Sequence, residues 1–369
     1  MHIPYTQLFN KTANALPRKR LTAFFTPLSI LLFLNTATAQ IGGLSTFSFV
    51  KNSPSARISA LAQSQIALKD DDLALGYSNP ALLNPLMHKA LTLNYESRLG
   101  GSSNSFVAGG FHVNKWKTTF STGLFYNNYG TFKQTDEFGN VQGDFKASEY
   151  ALHLGAGREL NARFSVGANL KFIGSQLETY SSYGLAADLS GAYTNPEKQF
   201  GATILLKNVG VQLKNYVSDG SRETLPYDLQ IGFSKKLTRA PFRFSVAAVD
   251  LLRWNLRYTN PLDNETTLLG EQASEPSSFS KGIDNLFRHL RFGGEIALGK
   301  KENFRLRAGY NHQTRKEMTL QNIRSTAGFS FGVGVKVAKF RIDYGYAAQH
   351  LAGGRNHLTI STNLSALNK

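Results

Sequence analysis

From about residue 90 onward the chain alternates between apolar and small or polar positions, in segments of ten to twelve residues. In Thr326–Val337, Phe329, Phe331, Val333, Val335 and Val337 share one parity, and Gly328, Ser330, Gly332, Gly334 and Lys336 take the other. Successive side chains of a strand point to opposite faces, so this pattern predicts strands with one apolar face and one small or polar face. The same split recurs at Phe164, Val166, Ala168, Leu170 and Phe172 against Ser165, Gly167, Asn169 and Lys171. It returns at Phe304, Leu306, Ala308 and Tyr310, whose intervening positions are Arg305, Arg307 and Gly309.

About fourteen such segments are predicted, near 90–99, 105–113, 116–127, 147–158, 162–176, 182–193, 199–209, 226–237, 241–252, 288–299, 303–313, 324–337, 339–349 and 355–364. Their length suits strands that cross a bilayer at a tilt. Charged residues, among them Arg243, Glu295, Arg305, Arg307 and Asp343, fall on the polar parity and are expected to line an enclosed lumen. Every second connection is tight, near 114–115, 159–161, 195–198, 238–240, 300–302 and 338. Several of the others are long: 128–146, 210–225 and 253–287. A soluble sandwich has no reason to segregate loop lengths in this way. Short turns at one end and long loops at the other predict an all-β, antiparallel outer-membrane barrel with its turns in the periplasm. Hydrocarbon offers no hydrogen-bond partners, so the sheet must close on itself. A lumen of that girth either conducts or is plugged.

Residues 1–39 read as a secretory signal. Arg18, Lys19 and Arg20 precede an apolar stretch, and Ala37-Thr38-Ala39 supplies a cleavage site. Between the signal and the first strand, 40–89 is not strand-like. It carries the triplet Asp70-Asp71-Asp72 and the run Asn79-Pro80-Ala81-Leu82-Leu83-Asn84-Pro85. Both prolines bias the preceding Asn away from helix, which predicts a compact, turn-rich plug or hatch before a barrel at 90–369.

Composition narrows the chemistry. With 41 basic and 25 acidic side chains the net charge is +16; removing the signal takes away four basic residues and no acid, leaving +12. Export and the lack of any helix-turn-helix, zinc-finger or RNP-like pattern argue against nucleic acid. No cysteine is present, which excludes disulfides, thiolate metal sites and Cys nucleophiles. The eight histidines form no metal-binding spacing, and His153 and His312 have no supporting catalytic pattern. The reading is therefore of no catalytic centre, metal or cofactor. For Asp70–Asp72, pairing with lumen arginines outweighs a cation site.

Two outer segments are candidate partner-binding surfaces. The stretch 259–285 holds Asp263, Glu265, Glu271, Glu275 and Asp284 against Lys281 alone, with Leu268, Leu269 and Phe279 as apolar anchors. The second, 128–146, offers Tyr129, Phe132 and Phe138. Basic residues in the short turns, such as Lys115, Lys235 and Lys236, suit anionic headgroups.

Ser55-Ala56-Arg57, the Asp triplet and the Asn-Pro run resemble the N-terminal element of a Bacteroidetes outer-membrane family. It comprises PorQ and the related PorV of the type IX secretion system, distantly similar to FadL-type channels. The PorQ-like resemblance continues through Gly42-Gly43 with Phe47-Ser48-Phe49, Asn128-Tyr129-Gly130-Thr131-Phe132 and Asp136-Glu137-Phe138-Gly139-Asn140. It extends to Asn208-Val209-Gly210-Val211, His289-Leu290-Arg291-Phe292-Gly293 and Ala308-Gly309-Tyr310-Asn311-His312. The order of these weak motifs carries the resemblance. It implies a non-enzymatic outer-membrane component of a cell-surface attachment complex. Such a component anchors a PorZ-like surface protein, beside a PorU-like sortase and a PorV-like shuttle that join cargo to anionic lipopolysaccharide. The alternative is a FadL-like channel for hydrophobic small molecules, which needs an apolar pocket beside Asn79-Pro80-Ala81.

Overall fold

Alternating side chains dictate a sheet with two unlike faces, and the sheet resolves them by curling shut. The computed structural model describes residues 45–218, 220–257, 277–299, 302–318 and 324–367. Within them, fourteen strands form one closed antiparallel barrel in chain order. The first seven are β1 (Ala90–Ser97), β2 (Ser103–Val113), β3 (Thr118–Thr135), β4 (Val141–Glu159), β5 (Phe164–Leu177), β6 (Tyr180–Asn195) and β7 (Phe200–Lys214). The rest are β8 (Asp228–Lys236), β9 (Phe242–Ala248), β10 (Leu290–Leu298), β11 (Phe304–Asn311), β12 (Phe329–Val337), β13 (Phe340–His350) and β14 (Gly353–Asn363), and two short helices, α1 (Ala56–Ala60) and α2 (Ala74–Ser78), precede β1. β1 and β14 close the ring, from Ala90 opposite Asn363 to Ser97 opposite Asn356. No sheet edge is left to bond elsewhere.

The apolar parity faces out. On β12, Phe329, Phe331, Val333 and Val335 are exposed while Ser330 is buried; on β5, Val166, Leu170 and Phe172 are exposed and Ser165, Asn169 and Lys171 buried. A wall that is apolar outside and polar inside is stable only in hydrocarbon. Among the described residues no helix is long and apolar enough to cross a membrane, so the strands do the crossing.

Tight turns gather at the end that holds the start of β1 and the end of β14, as expected. The opposite end departs from expectation at 128–146. That segment is not a loop: β3 and β4 continue through it as one hairpin whose turn lies between Thr135 and Val141. Where the loop was expected to begin, a register shift between Asn128 and Gly130 is absorbed as a bulge within the ladder. Likewise β7 runs on to Lys214, into the segment expected to be the loop 210–225. The stretch 249–289 ends in a helix, α3 (Ser278–His289), which packs on a shorter one, α4 (His312–Glu317), after β11.

Residues 45–89 pack inside the ring. A short helix over Ala56–Ala60 starts where the Ser55 hydroxyl accepts from the Ile58 N–H at 3.3 Å. The two Asn-Pro units behave alike. Asn79 and Asn84 are extended, with φ near −150°, and each side chain accepts a backbone N–H two residues on, at 3.0 Å. Proline fixes the first residue of each following turn, and the Asn side chain caps it. Further bonds leave the segment for the wall: Asn79 Nδ2 donates to Thr203 Oγ1 at 2.8 Å, and Ser165 Oγ donates to the Ala81 carbonyl at 2.7 Å.

Candidate functional site

The inner segment meets the wall on two chemically different sides. Toward β2–β6 the contact is apolar and close. Phe49, Leu75, Tyr77, Leu82 and Leu83 form one buried cluster with Phe106, Phe125 and Ile173 of the wall. The Tyr77 ring meets Phe106 edge-on at 5.2 Å and stacks on Phe125 at 5.6 Å. Beneath Pro80 the wall is paved with glycine. A Cβ on Gly167 would lie 2.3 Å from the Pro80 carbonyl carbon and 2.4 Å from the Ala81 nitrogen, so only glycine lets the two backbones approach. Within this side sits one ionic knot. Lys171 Nζ bonds Asp188 at 2.7 Å and donates to Asn208 Oδ1 at 2.8 Å, and it lies 4.8 Å over the Tyr77 ring.

Toward β9–β13 the contact is charge. Arg57, 1% exposed, is the hub. Its guanidinium spans Glu295 through two bonds of 3.0 Å, Asp70 at 2.8 Å and Asp72 at 3.3 Å. Glu295 in turn takes Arg243 at 3.0 Å and Arg307 at 2.8 Å, and Arg307 reaches Asp343 at 2.6 Å. Asp71 holds Arg341 through two bonds of 3.1 Å. Burial pushes the Asp70 carboxyl upward, but the charge and hydrogen bond of Arg57, joined by Arg243, outweigh it and bring it down to about 2. Burial, with Asp70 alongside, raises Asp72 against the pull of Arg57.

All five lumen residues named from the sequence lie on the inner face. Arg243, Glu295, Arg307 and Asp343 converge with Asp70 and Asp72, whereas Arg305 pairs at 3.4 Å with Glu302 near the turn. The Asp triplet divides mainly between two arginines, Arg57 and Arg341, and of the lumen arginines expected to pair with it Arg243 reaches Asp70 at 3.7 Å. Neither was singled out as a site residue from the sequence, although Arg57 stood in a quoted motif. Asn79, Pro80 and Ala81 form the turn over Gly167. A third cluster was also missed: buried Glu96 bonds Arg98 at 2.6 Å and Asn104 at 2.6 Å, with Arg355 at 3.6 Å.

The outer surface candidates divide three ways. Asp263, Glu265, Leu268, Leu269 and Glu271 lie outside the described residues. Tyr129 points its hydroxyl to Glu149 at 2.5 Å, and Phe132 stacks on Phe145 at 5.3 Å, so both stiffen the β3–β4 hairpin. Phe138 is 82% exposed at its tip, where Asp136 accepts the N–H groups of Phe138 and Asn140 at 3.0 and 2.8 Å. On α3, Phe279 is 79% exposed, and Ile283, Leu286 and Phe287 are exposed too. Asp284 ties α3 to α4 through His312 at 3.1 Å and Lys316 at 3.6 Å, and pairs with Arg288 of its own helix at 2.9 Å.

A closed ring of membrane-length strands, apolar outside and filled inside, defines an integral β-barrel of the outer membrane. No family model matches the chain, and no curated protein matches it in sequence. Several solved structures are similar to it. A Pseudomonas aeruginosa FadL homologue is similar at a TM-score of 0.48 and 11% identity, covering 85% of this chain and 98% of that one. The Pseudomonas putida toluene transporter TodX gives 0.47 and 12%, covering 83% and 96%. The CymD monoaromatic hydrocarbon channel gives 0.46 and 14%, covering 84% and 96%.

Proposed function

We propose that this chain is a non-enzymatic outer-membrane anchor that holds a protein partner at the cell surface. The observation that carries the reading is the outer rim: a stiffened hairpin and an amphipathic helix each present a large apolar residue, Phe138 and Phe279, to water. On α3 the exposed Phe279, Ile283, Leu286 and Phe287 share one face, and a contiguous apolar patch of that kind marks a protein interface. The filled lumen supports the same reading, since the plug is fixed by charge on one side and by shape on the other. In the finer form, taken from the PorQ-like order of motifs, the partner is PorZ-like and the setting is the attachment complex of type IX secretion, with its sortase, shuttle and anionic lipopolysaccharide. The test is a pull-down from detergent-solubilised outer membrane with Phe138→Ser and Phe279→Ser combined. The variant is expected to keep heat-modifiable migration, the mark of a folded barrel, and to lose its surface partner. A partner retained at the wild-type level rejects the anchor.

A second reading is a channel for small hydrophobic molecules. The apolar cluster between plug and β2–β6 favours it, and the names of the similar structures, a toluene transporter and a monoaromatic hydrocarbon channel, fit it better than they fit attachment. Entry of a labelled aromatic hydrocarbon into cells lacking the gene distinguishes the two: unchanged uptake dismisses the channel.

A further inference from the structure

The outer wall is not uniformly bulky. Across β1–β4, near the tight-turn end, one row of outward positions runs Leu91, Gly109, Thr122 and Leu154, each paired with the next. The row is large, small, small, large. Below it, one row nearer the turns, Phe111 pairs with Phe120. The result is a trough floored by Gly109 and Thr122 and walled by Leu91, Leu154 and the two phenylalanines. Its volume is about 600 Å³ and its lining is almost wholly apolar. It lies on the lipid-facing side, because Leu91, Thr122 and Leu154 are all exposed there.

Cations edge the same trough at its periplasmic end. Lys89 lines it and is exposed; its backbone N–H is held by the Gly110 carbonyl at 2.9 Å. Arg158 lies two residues beyond Ala156 on the same outward face, opposite Thr118. Trp116, 57% exposed and edge-on to Phe120 at 6.1 Å, marks the level where an indole meets headgroups. We propose that this trough is a phospholipid site. One acyl chain of a periplasmic-leaflet lipid lies over Gly109 and Thr122, and its anionic headgroup sits against Lys89 and Arg158. An apolar slot opening to hydrocarbon, with positive charge only at its headgroup end, matches an acyl chain tied to a phosphate.

Gly109→Phe tests the site without disturbing the lumen, since a Cβ there meets nothing within 4 Å. The full-length barrel is taken from outer membranes in mild detergent, and bound lipid is counted by native mass spectrometry. Phosphatidylglycerol or phosphatidylethanolamine is then added back. Wild-type protein is expected to retain phospholipid and to take up phosphatidylglycerol in preference. Gly109→Phe is expected to lose at least tenfold in occupancy while remaining heat-modifiable. Lys89→Ala with Arg158→Ala is expected to keep the lipid but lower the preference for phosphatidylglycerol about threefold. Equal lipid in wild type and Gly109→Phe overturns the proposal. So does a wild-type barrel with no lipid, or one that carries a small hydrocarbon instead. An unchanged headgroup preference in the double variant overturns the role of the two cations.

Discussion

The two sides of the lumen grip one plug by opposite means. Against β4–β6 the chain is held by shape, with Pro80 and Ala81 laid directly on Gly167. Against β9–β13 it is held by charge: Arg57, braced by Asp70 and Asp72 of its own segment, grips Glu295 of the wall, and Asp70 and Asp71 reach Arg243 and Arg341. Shape tolerates no added atom but ignores pH. Charge tolerates small shifts but fails when one partner is neutralised or removed, because the others are then buried without compensation. The largest effect should therefore come from the charged side. Arg57→Ala leaves Asp70, Asp72 and Glu295 short of their shared cation, and is expected to cost about 3–5 kcal/mol, read as a loss of the heat-resistant folded band. A variant as stable as the parent sinks the hub assignment.

Next comes the smallest possible addition on the other side. Gly167→Ala is expected to cost about 1–3 kcal/mol by overpacking, with the plug, not the wall, displaced. Protease cleavage within 45–89, with the strands left intact, is the readout. The third test separates the sides by acid. Asp70 titrates at about 2 in the fold, below its ordinary value, so its contribution is complete above about pH 4 and is lost as pH falls through 2. That contribution is about 2 kcal/mol. Asp72, raised by burial, works in the other direction, since its protonation relieves a buried charge. Pepsin is expected to spare the plug near pH 4 and to cut it near pH 2. Asp70→Asn should remove most of that difference; if it does not, acid is acting elsewhere. The smallest effect belongs to Arg341→Ala. Its partner Asp71 is 44% exposed, so a change below about 1 kcal/mol is expected, with the heat-resistant folded band retained as in the parent.

The barrel was legible because parity survives any uncertainty in strand ends. A residue such as Glu295 faces inward wherever β10 begins. The Asn-Pro turns were legible for a similarly local reason, since proline restricts its own φ and its neighbour's backbone. What the sequence hid depends on register between strands. Lys171 is visible as an inward cation, but its partner Asp188 is set by the β5–β6 pairing, in which Asn169 lies opposite Asp188. Arg57 was hidden because it belongs to no strand, so no parity says where it points. The β3–β4 hairpin was mistaken for a loop because a bulge at Asn128–Gly130 and a turn share the same residue types.

The seam between β1 and β14 carries one more consequence. β14 is the last strand and β1 directly follows the Pro85–Met87 turn, with the Leu364 N–H donating to the Lys89 carbonyl at 2.9 Å. The cylinder thus closes between its last strand and the strand that the enclosed residues directly precede. With backbone resting on bare backbone at Gly167, there is no slack through which those residues can be threaded later. The wall is therefore expected to wind around an interior already in place: in a refolding time course, protease protection of 45–89 should appear no later than the heat-modifiable band, and an empty barrel that fills afterwards would overturn that order.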